Sequence, residues 1–241
     1  MSQFYPLKVK KVEKLTPESV SVVLEIPAEL KEKFAFKPGQ FVMVEKDLNG
    51  EKLRRYYSIY SVPEEGDIKL GIKLKGKDGF ADYAMHRLKP GETLEVSIPM
   101  DDVKIDLAPG NKKKYLAVTI GSGITPFYSI IREKINKEPE SRLVLVYGNK
   151  TPELAMFLKE LRELEKKYPE QFKMYEVYSE SEAGDFPGRI DEEILKQILS
   201  AEGTGFDAVY LIGPDDLKKK AAKLLTETGI PKEKLHYRVY T

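Results

Sequence analysis

The stretch that decides the fold is Tyr115-Leu116-Ala117-Val118-Thr119-Ile120-Gly121-Ser122-Gly123-Ile124-Thr125-Pro126. Its first six residues are mostly apolar and predict a buried strand, and Gly121-Ser122-Gly123 predicts a turn. Thr125 and Pro126 then open a segment whose apolar residues have helical spacing. This arrangement brings backbone N–H groups and the positive end of a helix dipole close to a phosphate group. The sequence leaves open a second interpretation, in which the turn only connects a strand to a helix.

Composition excludes several classes of protein. The chain has 241 residues, enough for two modest domains, and its formal charge of +1 gives no reason to expect nucleic acid or a membrane as a partner. It contains no cysteine, which excludes a disulfide, a cysteine nucleophile and a thiolate-held iron–sulfur cluster within these residues. Two histidines are too few for a histidine zinc site, so no metal is expected. Without a signal peptide or an apolar run of membrane-spanning length, a cytoplasmic protein is expected.

Residues 1–110 have the pattern of β-structure and predict an antiparallel β-barrel. Several short strands separated by turns rich in proline and glycine are typical of such a domain. The strand candidates are residues 7–12, 19–26, 41–44, 56–62, 68–74 and 93–98. One short helix is predicted at Phe80–Leu88, because four of its bulky or apolar residues share a face.

Within this half, the segment from Leu53 to Ser61 carries two arginines, three tyrosines and two serines. Strand alternation places Arg55 and Tyr57 on one face and Tyr56 on the other. An aromatic ring, a cation and a hydroxyl together could hold a planar cofactor that carries phosphate. The alternative is a polar edge strand with ordinary tyrosine packing.

Residues 111–241 follow a polar connector and predict a second domain, a doubly wound parallel α/β sheet. Strand candidates at 115–120, 142–147, 173–178, 207–212 and 235–240 alternate with helices, three of which are predicted at 152–168, 191–201 and 214–228. Ligands of such sheets bind at the carboxyl ends of the strands. Three of these ends carry glycine or polar residues, which favours a nucleotide site: Gly121-Ser122-Gly123, Gly148-Asn149-Lys150 and Gly213-Pro214-Asp215.

The combination of Arg55-x-Tyr57-Ser58, Gly121-x-Gly123-x-Thr125-Pro126 and the late Gly213-Pro214 resembles the ferredoxin–NADP⁺ reductase superfamily. The resemblance runs from about Phe4 to Thr241. Within the superfamily, the chain is most similar to oxygenase reductases such as the reductase subunit of the phenylacetyl-CoA epoxidase system.

The resemblance implies roles for individual residues. Arg55 would pair with the flavin phosphate, Tyr57 would lie against the flavin ring, and Ser58 would lie near the flavin nitrogen that receives hydride. The other flavin-binding residues implied, with FAD as the cofactor or FMN as the alternative, are Tyr56, Ile72, Lys73, Gly79, Phe80, Ala81 and Asp82. NADH or NADPH would be bound by Gly121, Gly123, Thr125, Pro126, Asn149, Lys150, Ser179, Glu180, Arg189, Gly213, Pro214 and Asp215. The catalytic residues implied are Ser58, Thr125 and Tyr240, with Tyr240 over the second face of the flavin.

The chain also departs from the family pattern. Relatives continue into a ferredoxin domain with four cysteines, whereas this chain ends at Thr241, as a stand-alone reductase or as one whose cluster domain has been removed. Asp82 lies beside the place of a usual serine, where it would either repel the pyrophosphate of FAD or cap its own helix. The turn Pro99-Met100-Asp101-Asp102 is more acidic than expected, which like Asp82 leaves FMN open, and Ile212 replaces a usual cysteine.

Three functions follow from the resemblance. The first is a flavin-dependent NAD(P)H oxidoreductase that passes electrons to an iron–sulfur protein or oxygenase component. The second is a reductase of free flavin, and the third a non-enzymatic nucleotide-binding module. Because Glu180 would repel a 2′-phosphate, NADH is expected to be preferred over NADPH.

Overall fold

The computed structural model describes residues 3–48, 50–101 and 108–237. Internal contacts divide the chain into two compact units. The first contains residues 1–105 and 125–132, and the second contains residues 106–124 and 133–241. The domain boundary expected after residue 110 stays a prediction. Tyr240 and Asp102, both singled out in the sequence, lie outside the described residues.

The first unit is built on a six-stranded antiparallel sheet with strand order β4-β3-β6-β1-β2-β5. Its elements are β1 (Phe4–Thr16), β2 (Ser19–Glu25), β3 (Phe41–Leu48), β4 (Glu51–Ser58), β5 (Ile68–Lys73), the short helix α1 (Phe80–His86) and β6 (Thr93–Ser97). Just beyond β4, Ile59 bridges to Leu70 in β5, and the N–H of Tyr60 donates to the carbonyl of Lys69 at 2.9 Å. The two ends of the sheet therefore meet, and the predicted antiparallel barrel is confirmed.

The hairpin of β3 and β4 is longer at its tip than predicted. Strand β3 was expected to end at Val44 but continues to Leu48, and β4 begins at Glu51 instead of Tyr56 and ends at Ser58 instead of Val62. The extension is polar, and its outward residues pair across the strands, with Arg54 Nε 2.5 Å from Glu45 Oε2. Such cross-strand charge pairs stabilise a hairpin without leaving an apolar pattern in the sequence.

The second unit is a six-stranded parallel sheet with strand order β10-β9-β8-β7-β11-β12. Its strands are β7 (Lys114–Ile120), β8 (Arg142–Asn149), β9 (Phe172–Tyr178), β10 (Phe186–Pro187), β11 (Ala208–Ile212) and β12 (Leu235–Tyr237). Helices α2 (Ile124–Lys137), whose residues 125–132 belong to the first unit, α3 (Leu158–Lys167), α4 (Glu192–Glu202) and α5 (Asp215–Glu227) alternate with them. The predicted doubly wound α/β fold is confirmed. No helix of the described residues is long and apolar enough to cross a membrane.

The helix predicted over residues 152–168 is wrong in its first half. Residues Pro152–Leu154 form a 3-10 turn, and Phe157 then adopts a left-handed conformation with φ of 60° directly before α3. Phe157 is buried although its backbone is not helical. The helical spacing of buried apolar residues therefore continues across the left-handed Phe157. Periodicity alone cannot reveal a single residue in that conformation.

Candidate nucleotide-binding sites

Strand β4 presents the arginine that the sequence assigns to the flavin phosphate. Arg55 is exposed, and its Nη1 donates only to the neighbouring carbonyl of Arg54 at 2.8 Å. Within the described part of the chain, no carboxylate lies within ion-pairing distance of Arg55. Arg54, its neighbour, pairs with Glu45 and stacks on the ring of Phe4 at 5.3 Å. Of the two arginines, Arg55 is therefore the one that can accept an anionic ligand.

Tyr57 lies on the same face of β4 and reaches toward the start of α1. Its ring centroid is 5.7 Å from that of Phe80, with 40° between the ring planes. Burial raises the pKa of the Tyr57 hydroxyl, so the side chain stays neutral. Ser58 is partly exposed and makes no side-chain hydrogen bond to the described residues, whereas Tyr56 is 60% exposed and packs on Phe41. Arg55, Tyr57 and Ser58 thus offer a cation, a ring and a hydroxyl along one strand.

The remaining residues assigned to the flavin lie on β5 and α1. Ile72 is buried, and Lys73 has Glu18 at 3.8 Å. Helix α1 starts after Gly79, which has no side chain that could cap it, and among the described residues no backbone N–H of its first turn donates to the Asp82 carboxylate. The helix-capping alternative for Asp82 is therefore wrong. Its carboxylate instead lies 3.7 Å from Nη2 of Arg87 and 3.2 Å from Nδ1 of His86, on the C-terminal side.

In the second unit, the glycine turn follows β7 as predicted. Residues Gly121–Gly123 form one 3-10 turn that runs directly into α2, and Gly121 has a φ of 54°. A Cβ atom at Gly123 would lie 2.3 Å from Oγ1 of Thr119 and 3.0 Å from the carbonyl oxygen of Ile212. Glycine is required there because the turn packs against the ends of β7 and β11. Thr125 and Pro126, in the first turn of α2, are both buried.

Asn149 ends β8 and carries a buried amide without partners among the described residues. The residue is 7% exposed, and neither its Oδ1 nor its Nδ2 makes a hydrogen bond of normal geometry there. Burial raises the pKa of the neighbouring Tyr147 hydroxyl, and the Asn149 amide partly offsets that rise. Unpaired buried polar atoms cost free energy and are uncommon in folded proteins. An amide of this kind at the carboxyl end of a parallel strand suits a polar ligand that supplies the missing bonds.

The ends of β8 and β9 are joined by two contacts. The N–H of Ser179 donates to the carbonyl of Asn149 at 3.0 Å, and the exposed side chains of Lys150 and Glu180 form an ion pair. Arg189 is also exposed and has no ion-pair partner in the part of the chain that the structure describes. The two cations that the sequence assigns to the nicotinamide nucleotide therefore differ, since Lys150 is paired with Glu180 and Arg189 has no such pair among the described residues.

A cleft of about 300 Å³ lies in the second unit at the carboxyl ends of β7 and β11. Its lining includes Pro214, the cations Arg189 and Lys220, and three acidic residues, Asp191, Glu192 and Asp216. Gly213 and Pro214 lead into α5, and the carboxylate of Asp215 is held at 2.7 Å by Nζ of Lys218, which lowers the pKa of Asp215. Gly213 and Pro214 therefore lie beside an open cleft, whereas the carboxylate of Asp215 is already paired.

Two polar residues at this edge were given no role in the sequence analysis, although Tyr147 begins the motif Tyr147-Gly148-Asn149. Thr119 is fully buried and its Oγ1 has no hydrogen-bond partner within the described residues. The Tyr147 hydroxyl lies 3.3 Å from the carbonyl oxygens of both Gly121 and Met156. Both residues belong to ordinary strand patterns, and only their burial and contacts set them apart. The residues of each unit fit a phosphate-bearing nucleotide. In the first unit Arg55 is exposed without an ion pair among the described residues; in the second, Gly123 packs too closely on β7 and β11 for a side chain, and the Asn149 amide is buried without a hydrogen bond of normal geometry.

Sequence comparison agrees with this assignment. The oxidoreductase FAD-binding domain matches residues 6–105, and the oxidoreductase NAD-binding domain matches residues 118–223. One of the subunits of the 1,2-phenylacetyl-CoA epoxidase of Escherichia coli is 34% identical over 98% of this chain and 67% of its own length. The ferredoxin reductase component of the 3-ketosteroid-9-alpha-monooxygenase of Rhodococcus rhodochrous is 28% identical over 97% of this chain and 64% of its own length.

The fold and the two nucleotide sites define a flavin- and nicotinamide-dependent oxidoreductase. The chain belongs to the family of FAD- and NAD-binding oxidoreductases that also contains the matching polypeptide of the phenylacetyl-CoA epoxidase. The FAD/NAD-binding domain of the nitric oxide dioxygenase of Vibrio cholerae has the same fold, with a TM-score of 0.84 at 20% identity over 100% of this chain and 99% of that one.

Proposed function

We propose that this chain is the reductase component of an oxygenase system and passes electrons from NADH to a separate iron–sulfur protein or oxygenase component. Support comes from its two relatives, which are named as a subunit of an epoxidase and as a reductase component of a monooxygenase. The structural observation that carries the proposal is that one chain combines an uncompensated Arg55 beside Tyr57 with a glycine turn whose Gly123 admits no side chain.

When bound, FAD converts a two-electron hydride donor into a source of single electrons. The residues of the chain supply binding and orientation. Arg55 neutralises phosphate charge, the Tyr57 ring covers the planar ring system, and the hydroxyl of Ser58 donates to a ring nitrogen. On the nicotinamide side, the N–H groups of the glycine turn bind the pyrophosphate, and the amide of Asn149 gains a polar partner.

We assign the preference for NADH to two residues at the carboxyl ends of β8 and β9, Lys150 and Glu180. Glu180 accepts hydrogen bonds from ribose hydroxyls, whereas its charge opposes the 2′-phosphate of NADPH. Lys150 partly neutralises that charge, because its Nζ lies 3.0 Å from Glu180 Oε1. The preference for NADH is therefore expected to be modest.

The test starts with the purified protein and its visible spectrum. We expect a flavin absorption that survives gel filtration, that NADH bleaches under anaerobic conditions, and that returns when a [2Fe–2S] ferredoxin is added. FAD is expected in the supernatant after heat denaturation. A protein that loses its flavin on gel filtration and reduces added FAD or FMN instead would be a free-flavin reductase, and one that binds no flavin would be a nucleotide-binding module. Either result would overturn the proposal.

A further inference from the structure

A buried tyrosine links the glycine turn to the segment before α3. Tyr147 is 1% exposed, and its hydroxyl is within 3.3 Å of two carbonyl oxygens, that of Gly121 in the turn and that of Met156. A phenol hydroxyl has one proton to donate, and its usual distance to an oxygen acceptor is about 2.7–2.8 Å. The two longer distances fit one donor shared between two acceptors, and the side chain of Asn149 also lies beside this hydroxyl, where it partly offsets the rise in pKa that burial causes.

Both acceptors belong to backbone that adopts a left-handed conformation. Gly121 has a φ of 54°, and Met156 directly precedes Phe157, which has a φ of 60°. A non-glycine residue in this region persists only where its surroundings hold it. Tyr147 is buried beneath both segments and supplies such a contact to each.

The contact with Gly121 also fixes the direction of the next N–H group. The carbonyl of Gly121 accepts from Tyr147 below and from the N–H of Ile124 in the 3-10 turn. In a trans peptide the N–H points opposite to the carbonyl, and the described chain contains no cis peptide bond. Holding the Gly121 carbonyl toward the buried hydroxyl therefore turns the N–H of Ser122 away from that hydroxyl.

We propose that Tyr147 is a positioning residue for the dinucleotide: its hydroxyl orients the Gly121–Ser122 peptide toward the pyrophosphate without touching the ligand. This inference rests on the proposed function, since it assumes that the glycine turn binds NAD(H). The same hydroxyl joins the turn to the Met156–Phe157 peptide. Nucleotide binding at the turn should therefore also stabilise that peptide.

The test uses Y147F, which removes the hydroxyl and keeps the ring. Isothermal titration of the flavin-loaded protein with ADP-ribose and NAD⁺ is expected to show about three- to tenfold weaker binding, the value of one neutral hydrogen bond. The KM for NADH should rise by the same factor, while kcat at saturation and FAD content stay unchanged. The matched control is Y175F, which removes a hydroxyl that donates to Glu202 at 3.1 Å in the same sheet and should leave nucleotide affinity unchanged.

Equal affinities of wild type and Y147F, or an equal loss in Y175F, would overturn the role of Tyr147. A wild type that binds no NAD⁺ at all would instead refute the proposed function, so the two failures are distinguishable. If Y147F does not fold, amide hydrogen exchange of the wild type decides the question. NAD⁺ should slow exchange at both Ser122 and Phe157, and an effect confined to Ser122 would contradict the coupling.

Discussion

Lys150 and Glu180 form an ion pair at the carboxyl ends of β8 and β9, with Nζ 3.0 Å from Oε1. A backbone hydrogen bond joins the same two residues: the N–H of Glu180 donates to the carbonyl of Lys150 at 2.8 Å. The two side chains are 58% and 56% exposed, so the pair contributes little to stability and can exchange its partner for a ligand. A nicotinamide nucleotide bound at these strand ends would therefore meet Glu180 with its charge partly neutralised.

Replacing this glutamate tests the preference for NADH. Glu180→Arg removes the repulsive carboxylate and adds a guanidinium that can pair with a 2′-phosphate. We expect the ratio of kcat/KM for NADPH over NADH to rise about tenfold, which corresponds to about 1.4 kcal/mol. Steady-state kinetics with both nucleotides measure this ratio.

Glu182→Arg is the matched control, because Glu182 is also exposed and lies two residues further along the same acidic loop. It changes the net charge by the same amount and should leave the ratio unchanged. If both variants shift the ratio equally, the effect comes from overall charge. A wild type that prefers NADPH would contradict the role given to Glu180.

Replacing each of the two adjacent arginines of β4 should have a different effect on flavin binding. Arg55→Ala should remove a charge-assisted phosphate contact worth about 1.5–3 kcal/mol, so FAD affinity should fall by about tenfold or more. Fluorescence titration of the apoprotein with FAD measures the affinity, and the flavin content after dialysis gives a second measurement.

Arg54→Ala is the control for this experiment. It removes the same charge from the neighbouring position, but its guanidinium is already paired with Glu45 and stacked on Phe4. We expect a small loss of stability and an unchanged FAD affinity. Full flavin occupancy in Arg55→Ala, or an equal loss in both variants, would show that Arg55 does not hold the phosphate.

Replacing the amide of Asn149 should affect the stability of the protein and its affinity for NAD⁺ differently. Asn149→Leu replaces two buried atoms that lack partners among the described residues with an apolar group of similar shape, so the melting temperature of the nucleotide-free protein should stay level or rise. The affinity for NAD⁺ should fall, because a leucine cannot supply the hydrogen bonds of the amide. Calorimetry of both variants with and without NAD⁺ measures the two effects. A destabilised variant with unchanged affinity would assign the amide a structural role.

Glu138 is a buried carboxylate that holds the start of the second unit together. It is fully buried, accepts hydrogen bonds from Asn111 Nδ2 at 3.0 Å and Ser141 Oγ at 2.9 Å, and pairs with the buried Lys134 at 3.3 Å. Burial alone would raise the pKa of Glu138, but these donors and the lysine charge together lower it below its ordinary value of 4.5. The stabilisation is therefore present above about pH 4.5 and is lost as the pH falls through the lowered pKa.

Glu138→Gln should remove the buried carboxylate charge that pairs with the buried Lys134. We expect a loss of about 3–5 kcal/mol in the free energy of unfolding at pH 7, measured by urea denaturation. Below pH 4.5 the difference from wild type should shrink, because the wild-type carboxyl becomes protonated as well. Glu227→Gln, which breaks an exposed pair at 3.8 Å, is the control and should change stability little at any pH.

The glycine turn could be predicted from sequence because local chain geometry determines it. Glycine permits backbone conformations that other residues avoid, and proline fixes φ at its own position. The predicted strand at 115–120 differs from β7 by one residue. The end of α5 was predictable for the same reason, since Gly229 has a φ of 91° after the last helical turn. At the turn after β7 and at the end of α5, glycine at one position is enough to indicate where the chain changes direction.

Contacts between distant residues could not be predicted in this way. Lys150 and Glu180 are thirty positions apart along the chain, and their pairing follows from the parallel register of β8 and β9. The direction of Asp82 depends on Arg87 and His86, one turn further along α1, and a first-turn aspartate is equally compatible with capping. Tyr147 resembles any strand tyrosine until Gly121 and Met156 are brought to its hydroxyl.

The two-residue strand β10 has a consequence for the behaviour of the protein at high concentration. It forms one edge of the parallel sheet, and its second residue is Pro187, which has no N–H to donate. Open sheet edges template the addition of further strands and so promote aggregation, and a short edge that contains proline prevents this. Where it pairs with the end of β9, β10 therefore offers few backbone groups to which a second chain could add.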